Sequence, residues 1–425
     1  MFCGSQVPTA TCGTLVEHVW NRNSATSALL EWNSAGVPNL GSDLSRSAGV
    51  HEACRVRSAG QTPVAIRARR EQQRQPRTCV DSGRPHMIAD LNPYSQFNLV
   101  ADMLATADVI RTFDPSVVDS TAAEIASTGR LLLTGEGSSR LFPAKGAIMQ
   151  SRQQGWPCVL HTEAGRQSQQ YALKDWSVLG MSNSGRTAEV IRLFTGLKEA
   201  GHPSRYSLTA MADSPLEALA ARGHVLRCGK EGAVAATKSV VEQALFCRAL
   251  VEAIAGQKTL KGRLSGLADD FRAALTLPID PMITDRLTKA GTIYFAGRND
   301  GVSEELTLKT NEITRKRSDF LEGTYAVHGI EEIMQGDDVV VWIDPYPESE
   351  QKFHDVLIKG VGLSVVAIAS RPTMFPTILV PDAGDLSGFV QLAAGWNLLV
   401  ETGMKLGINV DKPQRARKVG NEFTG

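Results

Sequence analysis

Two kinds of pattern alternate along most of the chain. One is a short, mostly apolar run that stops at a glycine or a hydroxyl; the other is a longer stretch with apolar positions three and four apart. The first suits strands buried on both faces, the second helices with one buried face. Residues 95–127 read as helical, with Phe97, Val100, Met103 and Leu104 on one face, then Val117 and Ile125. RLLLTG (130–135), PCVLHT (157–162), SVLGMS (177–182), RYSLTAM (205–211) and HVLRCG (224–229) read as strands. Helices are expected over 140–153, 187–200, 214–222 and 236–255. Alternating strands and helices with short turns predict an α/β fold with a parallel sheet covered on both faces.

The second half repeats the layout. TIYFAGR (292–298) reaches Gly297 as RLLLTG reaches Gly135, and DVVVWID (338–344) stands where SVLGMS stood. LSVVAIAS (363–370) and TILVP (377–381) complete the strands, with helices expected over 302–315, 348–360 and 386–406. The pattern predicts two similar α/β domains, 87–265 and 266–425, joined by a polar stretch near 257–285 carrying Lys258, Lys261 and Arg263.

Residues 1–86 lack either pattern. They hold ten Arg, no Lys, six acids and four of the seven cysteines. Three readings fit: a disordered arm, a start-site artefact with the initiator at Met87, or an Arg- and Ser-rich transit peptide. The whole chain has 45 basic and 45 acidic residues, so no general basic field speaks for nucleic acid. No apolar run approaches the ~18–20 residues of a membrane span. Cys158, Cys228 and Cys247 show no ligand spacing. The expectation is a cytoplasmic protein with reduced thiols, no metal, no cofactor, no nucleic acid and no membrane partner.

Candidate chemistry concentrates at two places. Ser182-Asn183-Ser184-Gly185-Arg186-Thr187 lies between a strand end and a helix start. Helix N-termini offer free N–H groups and partial positive charge, which suit phosphate. The turn Gly135-Glu136-Gly137-Ser138-Ser139 follows a neighbouring strand. One such loop alone is a common N-cap; two in one domain favour an anion cradle. The equivalent loop of the second half, Ile343 to Pro347, has an acid and two prolines, so one phosphate site per chain is expected. The second place is the helix after 292–298, where Glu305, Lys309 and Glu312 share a face. Carboxylates beside an ammonium suit proton transfer next to a carbonyl, with the ammonium stabilising an enediolate.

With those motifs in view, the chain resembles the double sugar isomerase (SIS) domain proteins, in particular the isomerase module of glucosamine-6-phosphate synthase and related phosphosugar isomerases, deaminases and deglycases. SNSGRT fits S-x-S-G-x-T, and Glu231 to Lys238 fits E-x-x-V-A-x-T-K. His328 falls sixteen residues past Glu312 and is followed by Gly329; Lys418 falls seven past Asp411 of Asp411-Lys412-Pro413. The resemblance implies that Gly137, Ser139, Ser182, Asn183, Ser184, Gly185 and Thr187 form the phosphosugar cradle. It implies Glu312 as the C1/C2 base, Lys309 and Glu305 beside it, and His328 as a ring-opening group in a neighbouring subunit's site. A homodimer follows. Lys418 is implied near C1/C2, able to form a Schiff base with a ketose. Two departures stand out: Arg186 replaces a usual Glu, offering the phosphate an extra cation, and Ala236 replaces Ser, removing a hydroxyl.

The synthases carry a glutaminase domain before this module, and the 86-residue arm is too short for one, so no glutaminase activity is expected. What remains is C1/C2 chemistry on a hexose or aminohexose 6-phosphate, by an isomerase or deaminase. A ketosamine-phosphate deglycase and a non-catalytic phosphosugar-binding regulator remain open. A dinucleotide-binding oxidoreductase is weaker, because Arg140 stands where the third glycine of that fingerprint belongs.

Overall fold

The computed structural model describes residues 93–418 and 420–424. Residues 1–86, with the three readings given them, lie outside the described residues, as does a start at Met87. Two parallel five-stranded sheets flanked by helices form the fold. The first holds β1 (Arg130–Gly135), β2 (Val159–Ala164), β3 (Ser177–Ser182), β4 (Arg205–Thr209) and β5 (Arg222–Val225), in the order β2-β1-β3-β4-β5. The second holds β6 (Thr292–Gly297), β7 (Arg317–Glu322), β8 (Val339–Ile343), β9 (Ser364–Ala369) and β10 (Thr377–Leu379), in the order β7-β6-β8-β9-β10. Strand for strand the two orders are the same. Each sheet changes direction at its first strand, the place where open α/β sheets bind ligands.

The helices are α1 (Asn98–Thr112), α2 (Asp119–Thr128), α3 (Leu141–Gln153), α4 (Gly165–Ser168), α5 (Ala188–Glu199), α6 (Pro215–Leu219) and α7 (Lys238–Ile254). After them come α8 (Leu264–Thr276), α9 (Pro281–Lys289), α10 (Val302–Thr314), α11 (Glu350–Phe353) and α12 (Ser387–Lys405). α11 continues as a π-helical segment, His354–Val361.

Strand residues alternate between faces, and the apolar clusters follow that period. Leu131 and Leu133 join one large core with α1, α3 and α7, while Leu132 turns to the opposite face with Val190, Ile191 and Phe194 of α5. In the second sheet Ile293, Phe295, Val339 and Val341 enter that same large core. Tyr294, Ala296, Val340 and Trp342 turn away to meet Phe353 and Leu357. The two sheets therefore share a continuous hydrophobic centre, in which α7 and α12 are buried along nearly their whole length.

Most expected elements lie within a residue or two of their expected ranges, and the departures have physical causes. The helical stretch 95–127 is two helices, because Asp114 turns its carboxylate onto the Ser116 N–H and Pro115 starts a new turn. The strand expected over 224–229 is Arg222–Val225, an edge strand with exposed residues. β7 went unexpected because RSDFLE alternates polar residues at a sheet edge and buries only Leu321 fully. The supposed polar connection near 257–285 contains α8 and α9. Leu264, Leu267, Ala268, Phe271, Ala274 and Leu275 of α8 are buried, and the charges of Lys258, Lys261 and Arg263 only precede that face.

Among the described residues no helix is long and apolar enough to cross a membrane. No cluster of three His, Cys, Asp or Glu side chains among them could hold a metal ion. Cys158, Cys228 and Cys247 are free.

Candidate active site

β1 and β3 lie side by side, with Gly135 opposite Met181, so the turns after them open at one edge. Gly135 must lack a side chain: a Cβ there would lie 2.7 Å from the Met181 carbonyl oxygen. The β3 turn is held by its own hydroxyls. Ser182 Oγ accepts from the Gly185 N–H at 3.0 Å and bonds Thr187 Oγ1 at 2.8 Å. Ser184 Oγ accepts from the Arg186 N–H at 3.2 Å. Gly185 has φ +63°, and a Cβ on it would meet Ser214 at 2.4 Å.

On the other wall stands α10. Asp300 accepts the Val302 N–H at its start, and Gly301, at φ +88°, comes so close to α3 that a Cβ would lie 2.4 Å from the Leu141 carbonyl oxygen. This contact fixes α10 against the first sheet's layer. Lys309 then reaches across: its Nζ donates to Ser138 Oγ at 2.7 Å and to Glu312 Oε2 at 2.9 Å, and lies 3.2 Å from Glu305. Burial works against the Lys309 charge, but Glu305 and Glu312 carry its pKa above the ordinary lysine value. Its ammonium is paired with both carboxylates. Burial pushes the Glu305 carboxyl up, against the pull of Lys309.

The tail closes the third side. Asp411 accepts the N–H groups of Asn98 and Leu99 at 3.0 and 2.8 Å, so the tail caps α1 from 313 positions away. Its backbone carbonyl accepts from the Val234 N–H. Lys418 then donates to Glu231 Oε2 at 2.7 Å and to the Ala233 carbonyl at 2.9 Å. Beyond it the chain pairs with the β3 turn: the Ala188 N–H donates to Asn421 O, and the Phe423 N–H to Arg186 O.

Together these walls line a cleft of about 450 Å³. It contains the expected Gly137, Ser139, Asn183, Ser184, Thr187, Lys309, Glu312 and Lys418. Ser182 and Gly185 do not line it; Ser182 is 1% exposed and its hydroxyl is spent on the turn. Glu305 is wholly buried behind Lys309. Glu312 keeps 19% of its side chain exposed, so of the two acids on Lys309 it is the one open to a ligand. His328 is exposed and does not line this cleft; it sits between exposed Tyr325 and Ile333. Arg186 does not reach the cleft either, and pairs with Glu422 of the tail at 3.6 Å. Ala236 does line it.

Three cleft residues, Glu136, Ser138 and Glu189, and the buried Glu231 were not singled out from the sequence as site residues. Ser138 holds Lys309, though Ser139 was the expected member of that turn. Glu136 accepts the Gly165 N–H, and burial together with the nearby Glu189 charge raises its pKa. Glu189 accepts from Asn421. Glu231 drew notice only as the first residue of a motif. Each takes its role from a partner distant in sequence.

The arrangement combines an anion cradle, a fixed cation and an accessible carboxylate, which is what proton transfer beside a carbonyl requires.

Comparison with known proteins bears on the domain and the fold. Residues 124–253 match the model of the SIS domain. Over 296 residues the chain is 24% identical to a glutamine–fructose-6-phosphate aminotransferase (isomerizing) of Sulfolobus acidocaldarius; the match covers 68% of this chain and 44% of that relative. The chain thus spans less than half the length of that relative. Among solved structures, the C-terminal domain of glucosamine-fructose-6-phosphate aminotransferase from Francisella tularensis matches with a TM-score of 0.63 at 16% identity. That match covers 74% of this chain and 97% of that one. A glucosamine-6-phosphate deaminase from Thermotoga maritima matches with a TM-score of 0.60 at 19% identity, covering 76% and 99%. At these identities the two structures establish the likeness of fold.

Proposed function

With an SIS domain carried over residues 124–253 as the premise, we propose that the chain is a phosphosugar enzyme with two SIS domains in tandem. It transfers a proton between C1 and C2 of a hexose or aminohexose 6-phosphate, as an aldose–ketose isomerase or an aminosugar-phosphate deaminase. The observation that carries this is the bond from Lys309 to Ser138. It brings the hydroxyl-rich turn of the first sheet and the acid–base helix of the second into one cleft. A regulator that only binds phosphosugars has no use for a carboxylate kept open beside a buried ammonium.

In this reading the phosphate rests on Ser139, Ser184 and Thr187. Glu312 takes the proton from one carbon and returns it to the other. Lys309 stabilises the negative charge that develops on the substrate oxygen. Being locked between two carboxylates, it cannot itself act as a base. Glu305 offsets the cost of burying that ammonium. His328, exposed with Tyr325 and Ile333 beside it, supports a homodimer in which this segment meets the partner's cleft.

Glu312→Gln tests the assignment. Losing a general base lowers rates by roughly a hundred- to ten-thousand-fold. Turnover of a panel of hexose and hexosamine 6-phosphates is expected to fall by that order, with ligand binding by calorimetry within a few-fold of wild type. Ketose formation, ammonia release and glutamate release from glutamine are followed separately. Unchanged turnover in the variant sinks the assignment, and tight binding with no turnover in wild type favours a regulator.

A further inference from the structure

Glu231 lies in the segment between β5 and α7, and its side chain is 1% exposed. Five donors converge on its carboxylate. Thr237 N–H and Ser239 N–H reach Oε1 at 2.7 and 3.2 Å. Asn183 Nδ2, Ser239 Oγ and Lys418 Nζ reach Oε2 at 3.1, 3.1 and 2.7 Å. One oxygen thus ties the phosphate turn, the start of α7 and the tail lysine together. Burial acts to raise the Glu231 pKa, yet Lys418 and the surrounding donors hold it below the usual carboxylate value. The segment is itself fixed by Asp102 of α1, which accepts the Gly232 N–H at 2.7 Å and pairs with Lys238 at 3.0 Å.

We infer that Glu231 is the positioning residue of this site. It presents Lys418 to the substrate as a fixed cation, and it makes the placing of that cation and the shape of the phosphate turn a single arrangement. The inference rests on the proposed phosphosugar chemistry for what Lys418 acts upon, though not for the pairing itself. It narrows the role of Lys418. Two of the ammonium's three N–H groups are already committed, to Glu231 and to the Ala233 carbonyl. Withdrawing the charge would leave a buried carboxylate without a counterion, which is costly. Lys418 therefore meets the substrate as a cation held in place by Glu231.

Three measurements test this. The first needs no substrate. Amine acylation at pH 8, mapped by peptide mass, is expected to modify Lys418 at least tenfold more slowly than exposed Lys230. In Glu231→Gln that protection is lost, while Glu231→Asp retains part of it. Equal labelling of Lys418 in wild type and Glu231→Gln overturns the pairing. The second is a double-mutant cycle, useful even if one variant folds poorly. Lys418→Met is expected to lower the Tm more than Lys418→Met with Glu231→Gln, and additivity overturns the inference. The third is kinetic. Glu231→Gln is expected to lose at least tenfold in kcat, with partial rescue by Asp. An unchanged kcat overturns it. If the first two hold and no phosphosugar is turned over, the pairing stands but the catalytic role falls with the proposed function.

Discussion

At the scale of single residues the site depends on what is missing as much as on what is present. Gly185 combines a left-handed backbone with a neighbour, Ser214, where a side chain would have to go. Gly185→Ala is expected to destabilise the protein by about 2–4 kcal/mol, adding backbone strain to overpacking. It should also abolish phosphosugar binding. Urea unfolding and calorimetry check both, and a stable variant that still binds would show that the turn can reshape. Glu305, Lys309 and Glu312 were legible in the sequence because their geometry is local; any helix places spacings of four and three together. Ser138 and Glu231 were not, because their partners lie 171 and 187 positions away. Ser182 illustrates the converse: its hydroxyl matches an anion-binding pattern, yet it is used inside the turn.

Among elements, α1 and the tail depend on each other. The N–H groups at the start of α1 are satisfied by Asp411, the residue from which Lys418 is counted. Asp411→Ala is expected to cost about 0.5–2 kcal/mol, as loss of an N-cap does. Activity should fall further than that loss of stability accounts for, because Lys418 loses its anchorage. Denaturation curves and kcat measured on the same preparation separate the two effects; equal activity would make the tail independent of α1. Elements buried on both faces, β1, β3, β6 and β8, were legible from continuous apolar runs ending in glycine or a polar turn. β7 was not, since an edge strand needs no such run. α8 escaped because charged residues precede its apolar face, although Leu264, Leu267 and Phe271 keep helical spacing.

For the molecule as a whole, two aspartates contribute to how stability follows pH. Asp385, just before α12, pairs with Arg248 of α7 and with Arg263 ahead of α8. Burial opposes its charge, but the two arginines hold its pKa down at about 2, against an ordinary 3.8. Its contribution is therefore present above pH 4 and is lost as pH falls toward 2. Asp300 is fully buried and pushed up to about 6. Its charge is a burden at neutral pH that is relieved as pH drops from above 6 toward 4. Stability from these two groups is expected to peak between pH 4 and 6. Asp300→Asn should flatten the gain between pH 7 and 5, and Asp385→Asn should flatten the loss below 4, both read from Tm against pH. Wild-type and variant curves that run parallel would contradict this.

The identical strand order of the two sheets has a consequence for how such a chain can change. The first sheet supplies the hydroxyl turns, and the second supplies the helix with the ammonium and the carboxylates. Ser138 and Lys309 meet only because Gly301 lets the two layers touch. Neither unit can be discarded, exchanged or let drift on its own without dismantling the other's contribution. Substitutions along that seam should accordingly be tolerated less than those on the solvent rim of the cleft. A change at the join is thus expected to disturb both halves of the cleft at once.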